Sequence, residues 1–197
     1  MAAPPFDYLD SMAWDVAISA VLVGVAALRL PYKASSDSVE EGGKNLRMGL
    51  AAGIGLTGLY LLIAGLGIGF IWPFTPAGGS YNVLFGGVSA LSGLALIATS
   101  LALFFNGGIK AVSYFAAVVG VYAVIDAYSM LKANLTSTPQ LAALSFLAFS
   151  ATAFLSVPAT HSDNKWLRRL FALVAFLFAI AWIYEAANIT LGHLGAK

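Results

Sequence analysis

The sequence has no cysteine, only two histidines, and little charge: ten Lys and Arg against nine Asp and Glu in 197 residues. Each shortage excludes something. Without cysteine there are no disulfides, thiolate metal sites, iron–sulfur clusters or cysteine nucleophiles. Two histidines argue against a bis-histidine haem and against a histidine-rich zinc or copper centre. Charged residues make up 10% of the chain, against about 25% in an ordinary soluble domain. A soluble domain needs a charged skin, so that class is excluded. No basic stripe of the kind that binds nucleic acid is present. What the chain has in quantity is apolar side chains, 60% of all residues.

Those residues fall into six stretches long enough to cross a bilayer, which takes roughly 20 apolar residues each. They run over about 11–30, 46–72, 81–105, 109–131, 139–157 and 167–191. Turn chemistry separates them. The second is expected to stop at Trp72-Pro73, the third at Asn106-Gly107-Gly108, and the fifth before Pro158, because proline and glycine interrupt helices on steric grounds. The expected fold is all-α: one integral membrane domain over 1–197, a polytopic bundle of six transmembrane helices.

Basic residues orient the bundle. Arg29, Lys33, Lys44, Arg47, Lys110, Lys165, Arg168 and Arg169 fall on one side, and only Lys132 and Lys197 on the other. The positive-inside rule then makes loops one, three and five cytoplasmic and both termini extracellular, in a cell membrane. Residues 1–10 carry no basic residue and two acids, so they read as mature chain and not as a cleavable signal. The one long hydrophilic linker, Lys33 to Lys44, reads as a solvated loop.

Glycine marks the packing faces. Gly58, Gly65 and Gly69 lie within about 40° of one another at 100° per residue. Gly49 and Gly53 lie on the other side of the same helix. Small residues let membrane helices approach closely, so the second helix is expected to be central, with neighbours on both faces. Ser89, Gly93 and Ser100 make a stripe on the third helix, and Ser145, Thr152 and Ser156 one on the fifth. Such stripes serve either tight packing or a polar path.

Three acids stand inside the spans: Asp15, Asp126 and Glu185. All three fall at similar depth in the outer part of the membrane, where a charge costs at least a few kcal/mol unless paired or hydrated. No Lys or Arg lies deep enough to pair with them. Each shares a helix face with polar neighbours: Asp15 with Ser11 and Ser19, Asp126 with Tyr122 and Ser129, Glu185 with Trp182 and Asn188. If the faces converge, Asp15, Tyr122, Asp126, Glu185 and Asn188 line an outward-open pocket for a cation, a proton or a small polar solute. The competing readings are an interfacial, wet Asp15 and neutral carboxyls that lock helices together at Asp126 and Glu185. The Glu-x-x-His pattern of bundle di-iron sites is absent. So are the nucleophile-elbow, zincin and phosphate-loop signatures. No catalytic residue, metal site or cofactor is expected.

The loop after the second helix carries the most distinctive residues. Trp72-Pro73-Phe74, then Gly79-Ser80-Tyr81-Asn82-Val83-Leu84-Phe85, resembles the signature of a mainly archaeal family of multi-span membrane proteins, domain of unknown function family 981. Ser156-Val157-Pro158 and Gly192-His193-Leu194 resemble it too. The resemblance implies a compact prokaryotic membrane protein and brings no activity with it. Physically, Trp72, Pro73, Tyr81 and Asn82 read as a stiff cap over the outer mouth of the pocket, with Asn82 as N-cap of the third helix. The six-span architecture with both termini outside is also similar to that of urea and amide channels, although their aromatic constriction motifs are not found here.

Two functions fit these features. One is a small channel or carrier for a small polar solute, proton or cation, working through the carboxylate-lined pocket. The other is a non-catalytic accessory subunit of a larger membrane complex, for example a respiratory one. Its expected surroundings are the lipid bilayer and either copies of itself, as a homo-oligomer, or that larger complex.

Overall fold

A computed structural model describes residues 8–30, 41–73, 79–136 and 138–193. Among them are six helices: α1 (Tyr8–Arg29), α2 (Glu41–Ile71), α3 (Gly79–Phe104), α4 (Ile109–Ala133), α5 (Pro139–His161) and α6 (Lys165–His193). No strand occurs among the described residues. All six are long and apolar enough to cross a membrane, and the chain is an integral, multi-pass membrane protein. At 31 residues, α2 is about 46 Å long, more than the roughly 30 Å of hydrocarbon it must cross.

Two helix ends differ from the sequence reading. The fifth helix does not stop before Pro158; it continues to His161, and its last turn closes through Ser162 N–H to the Pro158 carbonyl at 3.1 Å. A proline removes one donor and leaves its own carbonyl free to accept, so a helix already anchored by its neighbours passes it. Likewise α3 begins at Gly79, which places Asn82 inside the first turn, 1% exposed, and not at the N-cap. By contrast, α3 and α4 are each followed by an asparagine with left-handed backbone, Asn106 at φ 56° and Asn134 at φ 48°, a conformation asparagine adopts more readily than most residues.

Each helix packs on its two neighbours in sequence, and α6 closes back onto α1. The result is a ring of six, tightest at α2–α3, α4–α5 and α1–α6. No helix is central. The expectation of a central second helix is therefore corrected: α2 is a wall of the ring, held by α3 on one side and α1 on the other. Its contact with α3 is set by glycine. A Cβ on Gly65 would lie 2.4 Å from the Ala90 nitrogen, and one on Gly93 would lie 2.5 Å from the Leu62 nitrogen. Gly58 meets the Gly93 carbonyl in the same way, at 2.9 Å. A Cβ on Gly69 would meet nothing within 4 Å: its backbone still lies beside Gly86 of α3, but the residue is exposed and its Cβ position is in open space. On the other side, Gly53 accepts the Leu22 side chain of α1.

Polar contacts lock the α1–α6 seam at both ends. Trp14 Nε1 donates to Thr190 Oγ1 at 3.1 Å, and Thr190 Oγ1 lies 2.5 Å from Asp10 Oδ1. At the far end Arg168 Nη2 donates to the carbonyls of Ala27 and Leu30. The start of α1 and the end of α6 thus share one end of the ring, the terminal end. Arg47, Lys110 and Arg168 lie at the opposite, basic end. Large apolar side chains such as Leu56, Ile63, Phe70, Val118, Leu144 and Ile180 are exposed, as expected where the surrounding solvent is lipid.

Candidate functional site

The ring encloses a cavity of about 1140 Å³ lined by residues of all six helices. That exceeds the 300–1,000 Å³ typical of small-molecule sites. It extends from the Asn106-Gly107-Gly108 turn at the basic end inward to Val16, Leu61, Phe85, Phe146 and Trp182. From Arg168 to Trp182 the α6 wall rises 14 residues, about 21 Å.

Three cations line the mouth, Arg47, Lys110 and Arg168, and no Asp or Glu lines the cavity among the described residues. Arg47 Nη1 donates to Asn106 Oδ1 at 2.7 Å, while its buried Nε has no hydrogen-bond partner. Arg168 is held by the last carbonyls of α1, which a cation at a helix C-terminus complements. Neither guanidinium has a carboxylate partner among the described residues.

Hydroxyls are frequent along the walls, yet most of their protons are committed. Ser19, Thr99, Ser113, Thr152, Ser156 and Thr160 all line the cavity and all donate to a carbonyl three or four residues earlier in their own helix. The space between the mouth and the closed end is therefore mainly apolar. Ser89 and Ser92 line it without a hydrogen-bond partner among the described residues.

Aromatic rings close the inner end. Phe85 meets Phe146 at 6.0 Å between centroids, Phe146 meets Trp182 at 5.8 Å, Trp182 meets Phe178 at 6.4 Å, and Phe178 meets Phe149 at 5.6 Å. Offset and edge contacts at these distances are the favourable arrangements for ring pairs. The layer bridges α3, α5 and α6, and Tyr81 stacks on Phe85 from the terminal side at 5.8 Å.

The carboxylates expected to line a pocket do not line this one. Asp15, Tyr122, Asp126, Glu185 and Asn188 are all outside the cavity lining, and no hydrogen bond joins any two of them. Asp15, Asp126 and Glu185 lie about 10–12 Å from the terminal ends of their helices, near the level of the aromatic layer. Asp15 is on the α1 stripe that faces α2, one turn from Ser11, which bonds Tyr60. Asp126 is buried on α4, 5% exposed, one turn from Tyr122, whose hydroxyl points at Gly87 of α3. Glu185 is one turn from Trp182 on α6, and Asn188 is exposed. Buried oxygens of Asp15, Asp126 and Glu185, and the indole nitrogen of Trp182, have no hydrogen-bond partner. The accessible cavity thus lies toward the basic end, where the sequence reading had placed a pocket at the other. Of the expected outer cap, Trp72 and Pro73 are exposed, Tyr81 and Asn82 belong to α3, and residues 74–78 lie outside the described residues.

The sequence reading did not single out Arg47, Arg168 or the aromatic layer. One signal was there. Arg168, Ala175, Phe178 and Trp182 recur at helical spacing on one α6 face, an apolar stripe that ends in a cation.

No curated protein and no solved structure matches the chain. One family model does, described as Protein of unknown function (DUF981), over residues 1–196.

Proposed function

The chain belongs to the DUF981 family, and we infer that it is a membrane carrier that takes its solute into the central cavity from the basic end. The observation that carries this reading is the cavity itself: all six helices line it, it reaches the basic end among the described residues, and packed aromatic rings line its other end. That is the form of an access chamber with one gate closed. The carboxylates enter as a layer beside the gate, where a second state of the ring would wet them. Seven of the eight basic residues among the described residues lie at or near the basic end, so by the positive-inside rule that end faces the cytoplasm and the termini lie outside. No residue is assigned a catalytic role.

The absence of native cysteine makes a direct test clean. Thr99→Cys sits within the chamber, and Ser89→Cys sits close to the aromatic layer. In sealed vesicles of known orientation, a membrane-impermeant thiol reagent is expected to label Thr99→Cys from the basic side. A carrier alternates, so Ser89→Cys is expected to be labelled from both sides, and Asp126→Asn or Glu185→Gln to change the rate from the terminal side. Labelling of both positions from the basic side alone would mean a blind chamber. That outcome, with co-purification of larger subunits, would favour the accessory role.

A further inference from the structure

We propose that the cavity binds an anionic amphiphile, a single long hydrocarbon chain ending in a carboxylate or phosphate. Its anionic end would lie between Arg47 and Arg168 and its chain would run toward Phe149, Phe178 and Trp182. This rests on the reading of the cavity as a solute site and names the class of solute.

Charge is the first argument. The mouth holds cations and the lining holds no carboxylate among the described residues. Like charges collected at the rim of a low-dielectric chamber focus a potential that draws anions. Both guanidiniums have donors to spare: Arg47 keeps a buried Nε–H without a partner, and Arg168 uses one nitrogen on two carbonyls. A planar fork with free N–H groups suits a carboxylate or phosphate.

Shape and polarity are the second. Six of the eight wall hydroxyls have their protons tied to their own backbones, so a fully polar solute would leave its water and find few donors inside. A hydrocarbon chain loses nothing there. The chamber is about 21 Å deep along α6, longer than the roughly 15 Å that one leaflet's chains fill. A head at the rim therefore leaves room for the whole chain beneath it.

Trp182 provides the reporter. In full-length protein carrying Trp14→Phe, Trp72→Phe and Trp166→Phe, placed in nanodiscs of neutral lipid, Trp182 is the sole emitter. Stearate brominated near its methyl end is the probe, the brominated alcohol of the same length the uncharged control, and inorganic phosphate the competitor. The acid is expected to quench saturably, at a concentration about tenfold below the alcohol. Arg47→Gln is expected to weaken the acid by about tenfold, and Arg47→Lys to restore most of it. Equal quenching by acid and alcohol would overturn the proposal, as would an unchanged midpoint in Arg47→Gln. Full displacement by inorganic phosphate would also overturn it, leaving a small-anion site. Repeating the titration in nanodiscs of anionic phospholipid identifies the source. Lost quenching means the membrane's own lipid occupies the chamber, and retained quenching means a free amphiphile does. Charge-dependent quenching with one-sided cysteine labelling would sink the carrier reading alone. Two-sided labelling without charge-dependent quenching would sink this one alone.

Discussion

Asp126 is buried, and its Oδ2 has no hydrogen-bond partner. A buried polar atom left unsatisfied costs about 1–3 kcal/mol, so this side chain does not stabilise the state seen here. Replacing it should reveal that. Asp126→Ala removes the unsatisfied oxygen and leaves a small void, and these two changes oppose each other. The melting midpoint in detergent is expected to hold or rise, with a net change within about 1 kcal/mol, while terminal-side labelling of Ser89→Cys slows. A carboxyl that locks helices behaves otherwise. Its removal would lower stability by about 3 kcal/mol or more, as breaking a buried network does, and that result would return Asp126 to a structural role. Asp15 and Glu185 share the same condition, each with a buried oxygen unpaired. Three carboxylates near one level, each with one buried oxygen unpaired, are difficult to explain by packing alone.

Between elements, the α2–α3 contact depends on where glycines face a backbone. A leucine at Gly93 would meet the Leu62 nitrogen and the Gly58 carbonyl, neither of which is a flexible side-chain end. Gly93→Leu is expected to cost about 3 kcal/mol or to prevent folding, at or beyond the upper range for overpacked cores. A Cβ on Gly69 meets nothing within 4 Å and the residue is exposed, so Gly69→Leu is expected to be neutral or slightly stabilising, since leucine is the better helix former. Thermal melting of the two variants side by side decides it, and equal losses would mean the contact is not what holds the pair. Arithmetic at 100° per residue put Gly58, Gly65 and Gly69 on one stripe but could not say which of them aims its Cβ position at the partner's backbone. The six spans were legible because hydrocarbon demands long apolar runs. Pro158 misled because a proline ends a helix only where nothing else holds the next turn. The hydroxyl stripes looked like a polar path, and only backbone geometry shows Thr99 and Thr152 bonding their own helices. The cavity was not legible at all. It exists because α6 closes onto α1, and closure is a property of pairing that no single helix records.

A ring with no central helix can change its inner volume by small tilts of its walls, because nothing fills the middle to resist them. The three tight seams, α1–α6, α2–α3 and α4–α5, divide the molecule into pairs, and the looser seams between pairs are where tilting costs least. The aromatic layer spans one of these looser seams, α5–α6, through Phe146–Trp182 and Phe149–Phe178. It reaches α3 through Phe85. Opening the terminal end therefore requires these rings to part. Trp182 is the ring to change, since it is only partly buried and touches both Phe146 and Phe178. Trp182→Ala should weaken the closed state relative to the open one by an amount comparable to a ring contact, about 1.4 kcal/mol. A shift of that size raises the open population by roughly tenfold. Terminal-side labelling of Ser89→Cys is then expected to accelerate by about tenfold, with basic-side labelling of Thr99→Cys unchanged and Trp182→Phe close to wild type. An unchanged terminal-side rate would mean that the rings are packing and that the gate, if the molecule has one, lies elsewhere in the ring.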